Sequence, residues 1–146
     1  ATLDGGDVLV VGRKIFVGQT LRSNAAAVGQ LQGLLGPFGY VALGVPVTGC
    51  LHLKTAVTRV AENTLLINPA WVDKSHFEGF EFIEVDPSEP YAANALMVEG
   101  TLIHPSAFAG TRARLEAAGR PIVQVEADEL AKAEGGVTCC SLLVSV

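Results

Sequence analysis

Three stretches of the chain repeat one pattern of apolar and polar positions. They are "DVLVVGRKIFVG" from Asp7, "AVTRVAENTLLINP" from Ala56 and "ALMVEGTLIHP" from Ala95. Each has an apolar run, a tight polar turn (GRK, AEN or EG) and a second apolar run, which is the signature of a β-hairpin. After each hairpin comes a segment with helical potential and then one more strand. After the first, "RSNAAAVGQLQGLLGPFG" opens with Ser23 or Asn24 as a plausible N-cap and closes on Gly-Pro, and "YVALGVPV" follows as a strand. After the second, "PAWVDKSHFEGF" predicts a short helix and "FEFIEVD" a strand. After the third, "AFAGTRARLEAAGR" predicts a helix and "PIVQVE" a strand. A last helix, "ADELAKAEGG", leads into "SLLVSV", which resembles the first strand of a further unit.

The units begin 49 and 39 residues apart, within the range of propeller and array architectures. Two strands, a helix and a third strand per unit fit an α/β repeat better than an all-β blade. Residues 1–146 then form a single domain, part of a cyclic array, with no linker or low-complexity segment. The length of 146 residues is enough for one real core.

Composition adds exclusions. The chain is 49% apolar and 17% charged, with a net charge of −5 and no run of Lys or Arg. Nucleic acid and anionic membrane surfaces are therefore poor partners. No apolar stretch approaches the roughly 20 residues of a membrane-spanning helix. Three cysteines without framework spacing, two of them adjacent, read as reduced thiols in a reducing, cytoplasmic compartment.

The candidate chemistry sits at the mouths of the repeats. The last polar residues before the apolar runs are Asp4 and Asp7, His52, Asn94, and Cys139 with Cys140. If the units pack around an axis, an acid, an imidazole, an amide and a thiol converge. Cys, His and Asp are the parts of an activated thiol site: a thiolate nucleophile, a proton donor and acceptor, and a carboxylate that orients the imidazole. Other readings compete. Cysteines before strands are usually small buried hydrophobes, the reading given to Cys50 and Cys140. His76 and His104 read as structural, and Asp4 has a turn reading beside its two glycines. A metal held by Cys139, Cys140 and His52 matches no standard zinc spacing.

Taken together, "LDGGDVL", "GRKIFVGQTLRSN", "VTGCLHLKTAVT", "LLINPAW" and "EGGVTCCSLL" resemble the dimethylarginine dimethylaminohydrolase family, one of the pentein group of guanidine-modifying enzymes. The resemblance runs from end to end of the chain. It implies a partial five-bladed αβ propeller with the site on its axis, and a chain that is the later part of the family's usual length. It implies hydrolysis of dimethylarginine to citrulline and dimethylamine through a covalent cysteine intermediate, with no cofactor. Cys139 is then the nucleophile, His52 the general acid and base, and Asp4 the acid that orients His52. Arg22 pairs with the substrate α-carboxylate. Glu134, where the family commonly has Asp, and the backbone at Ala133 lie at the substrate amino group. The carboxylates with which the family grips the guanidinium have no counterpart here; Asp7 is the nearest spare carboxylate and receives no role. Arginine deiminase or amidinotransferase chemistry is the alternative on the same Cys–His pair. A different alternative is a non-catalytic fragment that associates with an N-terminal portion, another chain or itself.

Overall fold

A computed structural model describes residues 1–144 and shows three small three-stranded sheets, each built the same way. In the first, β1 (Val8–Val11) and β2 (Lys14–Gln19) form an antiparallel hairpin, α1 (Ala25–Leu35) crosses over, and β3 (Val41–Pro46) returns parallel to β2. In the second, the short helix α2 (Leu53–Ala56) leads into the hairpin β4 (Val57–Ala61) and β5 (Thr64–Ile67), and β6 (Glu81–Glu84) lies parallel to β5. In the third, β7 (Leu96–Val98) and β8 (Thr101–Pro105) pair antiparallel, α3 (Ala109–Ala117) crosses over, and β9 (Ile122–Val125) lies parallel to β8. A final short helix, α4, spans Asp128–Lys132.

The local chemistry accounts for these elements. The Asn24 side chain accepts the Ala27 amide and caps α1, which resolves the choice between Ser23 and Asn24. The β7–β8 turn places Glu99 at φ 48° and Gly100 at φ 81°, the left-handed pair that a two-residue hairpin of matching twist requires.

Strand β5 is the spine of the molecule and all four of its residues are buried. Leu65 and Ile67 face one core with Leu9, Phe16, Val45 and Phe77, while Leu66 faces a second core with Val60, Leu102 and Leu115. Alternation of side chains along a strand thus packs the middle sheet against both neighbours. This is why Leu65, Leu66 and Ile67 are apolar without alternation.

Three expectations change. The segment "PAWVDKSHFEGF" holds only a 3₁₀ turn at Lys74–His76, capped by Asp73, because Trp71, Val72 and Phe77 serve the core from an irregular loop. The terminal run "SLLVSV" forms no strand over residues 141–144, and its last two residues lie outside the described ones. A strand needs a ladder partner, and among the described residues none pairs with residues 141–144. Finally, Cys139 and Cys140 lie in a turn and both are exposed, so Cys140 is not the buried packing residue expected. The three sheets do not form a closed ring.

Candidate functional site

The site begins at a sharp turn. Asp4 caps a single 3₁₀ turn, Gly5–Asp7, and its Oδ1 accepts the Gly6 amide at 2.9 Å. Its own amide donates to Ser23 Oγ at 2.9 Å, which ties the turn to the loop after β2. That loop carries Arg22, whose Nη1 stands 3.6 Å from Asp4 Oδ2. The Gly6 amide, with His52 and Arg22 beside it, holds the Asp4 carboxyl below the ordinary carboxylate range.

His52 caps α2, one sheet away in sequence, and its Nε2 lies 3.3 Å from Asp4 Oδ1. The approach is an ion-pair distance without an aligned hydrogen bond: neither ring nitrogen of His52 has a hydrogen-bond partner among the described residues, although both are buried. Loose hydrogen bonds of this kind are common at catalytic sites before substrate arrives. Gly6 makes the approach possible. A Cβ there would stand 2.6 Å from His52 Cγ, so the second glycine of "LDGG" is required by the ring above it.

Asp7 faces inward instead. It is wholly buried, and its Oδ2 accepts the hydroxyls of Thr20 at 2.8 Å and Ser23 at 2.7 Å. Its Oδ1 accepts the Leu53 amide at 2.9 Å, at the start of α2. Both oxygens are engaged, so Asp7 is no spare carboxylate for a ligand.

Cys139 lies in the turn after α4, its amide donating to Gly136 O at 3.0 Å. The structure places its residue at the surface, and no hydrogen bond joins it to His52. Cys50 packs partly buried against the first core, as expected, with Sγ 3.4 Å from His52 O; burial pushes its thiol up to about 11. His104 is structural: fully buried, with Nε2 2.9 Å from Ala92 O. His76 sits on the 3₁₀ turn. Among the described residues no three His, Cys, Asp or Glu side chains converge as a metal site.

Ala133 ends α4, and Glu134 follows at φ 56°, in the left-handed region. Glu134 lines a cavity of about 830 Å³ together with Cys50, Thr55, Tyr91, Asn94 and Phe108. The structure therefore brings Asp4, His52 and Arg22 together and places Glu134 on a cavity that Cys139 does not line. Of the groups that support Asp7, Ser23 read only as a possible helix cap and Thr20 carried no sequence signal.

No family model matches the chain. Two relatives named N(G),N(G)-dimethylarginine dimethylaminohydrolase do: that of Pseudomonas aeruginosa, 33% identical over 97% of this chain and 56% of its own length, and that of Streptomyces coelicolor, 38% identical over 97% and 54%. A structure of the Pseudomonas aeruginosa enzyme, a cysteine-to-serine mutant complexed with citrulline, superposes with a TM-score of 0.89 at 33% identity over 97% of this chain and 55% of that one. An amidinotransferase of Microseira wollei shares the fold alone, with a TM-score of 0.85 at 20% identity over 95% of this chain and 46% of that one. The chain thus has the mixed α/β fold of the pentein group. Over nearly all of its length it is similar to the relatives named dimethylarginine dimethylaminohydrolase. It spans about half the length of the curated relatives it matches.

Proposed function

We propose that this chain carries the reacting half of a dimethylarginine dimethylaminohydrolase site, within a single domain that forms part of a five-bladed propeller. The observation that carries the reading is the approach of His52 Nε2 to Asp4 Oδ1 at 3.3 Å beneath Gly6, with both ring nitrogens unbonded and buried. A carboxylate so placed orients the imidazole and stabilises its protonated form. The similarity to enzymes bearing that name, one of them bound to citrulline, supplies the substrate class.

The thiolate of Cys139 attacks the central guanidinium carbon of dimethylarginine. His52 gives its proton to the departing dimethylamine, and a thiouronium joins the carbon to Sγ. His52 then takes a proton from water as its oxygen adds to that carbon; the C–S bond breaks, the added hydroxyl gives up its remaining proton to solvent, and citrulline and the thiolate are released. Each positioned proton transfer contributes about 10²–10⁴-fold in rate. Arg22, more than half exposed beside Asp4, is free to pair with the substrate α-carboxylate, for which its planar fork is suited. Glu134 and the Ala133 backbone, at the end of α4, are assigned to the substrate amino group. The three free cysteines fit a reducing, cytoplasmic setting.

A second reading, arginine deiminase or amidinotransferase chemistry, is favoured by the shared fold with an amidinotransferase. A third, association with further protein, is favoured by the exposed Leu142, Leu143 and Val144. Citrulline release from dimethylarginine, monomethylarginine and arginine separates the first two, and size in solution tests the third. His52→Ala is expected to keep covalent labelling of Cys139 by dimethylarginine while losing turnover. Undiminished turnover in that variant overturns the assignment of His52.

A further inference from the structure

The amide at the mouth of the third repeat has a specific job. Asn94 is 6% exposed, and each end of its side chain is committed. Nδ2 donates to Lys54 O at 3.0 Å and to Thr138 Oγ1 at 3.0 Å. Oδ1 accepts the Thr138 amide at 3.1 Å. Lys54 lies two residues after His52, on α2, and Thr138 immediately precedes Cys139. One side chain therefore bridges the helix that presents the imidazole and the turn that presents the thiol. The bonds cross 40 and 44 residues of sequence.

The chemistry demands an amide. A carbonyl oxygen (Lys54 O) needs a donor, and a backbone N–H (Thr138) needs an acceptor; a carboxamide offers the two on separate atoms of one planar group, and Asn has a shorter reach than Gln. The two demands also fix which end of the amide is which. Gly136 confirms how close the turn comes: a Cβ there would stand 2.6 Å from Asn94 Cγ. We propose that Asn94 is a positioning residue that sets the Cys139 turn against the His52 helix, so that thiol and imidazole act as a pair. The inference rests on the Cys139–His52 reading given above.

Two measurements on the full chain separate the inference from that reading. The first is the pH dependence of Cys139 alkylation by iodoacetamide, followed by peptide mapping, in the wild type, His52→Ala and Asn94→Asp. Aspartate keeps the acceptor for the Thr138 amide, and the rotatable Thr138 hydroxyl can turn to donate to it, but the donor to Lys54 O is lost. The turn stays tied while its link to α2 is cut. The expected result is a Cys139 profile in Asn94→Asp displaced from wild type towards that of His52→Ala. A wild-type profile in Asn94→Asp, with a displaced one in His52→Ala, overturns the bridge. The second is hydrogen exchange at the Thr138 amide in Asn94→Leu. It is expected to quicken by at least about tenfold, as for one lost net hydrogen bond, while the Leu65 and Leu66 amides keep their rates. If His52→Ala leaves the Cys139 profile unchanged, the Cys–His reading fails on its own. The bridge is then judged by the exchange result, and unchanged exchange at Thr138 overturns it.

Discussion

Asp7 Oδ1 accepts the backbone amide of Leu53 at 2.9 Å, across 46 residues of sequence. This one bond joins the turn that carries Asp4 to the first residue after His52. The two hydroxyls on Oδ2 hold the carboxylate from the other side. The Asp4–His52 approach is thus built on a buried foundation that touches neither residue's reacting atoms.

Removing that foundation should be costly in a graded way. Asp7→Asn can turn its amide so that the rotatable hydroxyls of Thr20 and Ser23 accept, and Leu53 keeps its acceptor. Asp7→Ala orphans the Leu53 amide inside the core, at about 1–3 kcal/mol for that group alone. Urea denaturation is expected to rank the stabilities as wild type, then Asn, then Ala. Equal midpoints for the two variants would contradict the role given to the Leu53 bond.

How much of this could be read from the sequence follows from where the signal lies. The hairpins around "GRK", "AEN" and "EG" and the returning strands were legible because strand alternation and turn chemistry are local. Asp4 and His52 were legible as polar residues at equivalent repeat positions, and the structure brings them to 3.3 Å. Asp7, by contrast, looks the same in sequence whether it faces a ligand or the interior. Only the fold shows that its partners are Thr20, Ser23 and Leu53. The loop around Trp71 and Phe77 misled for a related reason: apolar residues at helical spacing also serve a loop that lies over a core. The strand expected over "SLLVSV" is absent from residues 141–144, because strand propensity says nothing about the partner a ladder needs.

The first core should be sensitive at Phe16, which is fully buried against Phe77 at a centroid distance of 4.8 Å. Phe16→Ala is expected to cost about 3–5 kcal/mol. Val10→Ala, at a half-exposed position on β1, should stay within about 0.5 kcal/mol of wild type. Denaturant midpoints of the two variants check the contrast, and a Phe16→Ala loss below that of Val10→Ala would refute the core assignment.

His104 predicts a pH dependence of stability. Burial holds its imidazole below the ordinary histidine range, and its Nδ1 has no partner among the described residues. Above about pH 6.5 the ring is neutral both folded and unfolded, and it adds no pH dependence. As pH falls below that value the unfolded chain takes up a proton that the folded chain resists. Stability then drops, by at most about 1.4 kcal/mol per pH unit from this group. Thermal melts of wild type and His104→Gln between pH 5 and 8 should show a steeper acid-side decline in the wild type; parallel curves would count against it.

The cysteines should differ in reactivity. With its thiol pushed up to about 11, Cys50 carries very little thiolate at pH 8. Timed iodoacetamide labelling at pH 8 should modify Cys139 and Cys140 long before Cys50. Labelling of Cys50 at the same rate would contradict its burial.

The assignment of Cys139 as the nucleophile is tested most directly by acid-quenching the chain with dimethylarginine and mapping the cysteine peptides by mass spectrometry. The account predicts a covalent amidine adduct on Cys139, with Cys50 and Cys140 unmodified, and no citrulline from Cys139→Ser. An adduct on either other cysteine, or citrulline release by Cys139→Ser at the wild-type rate, would contradict it.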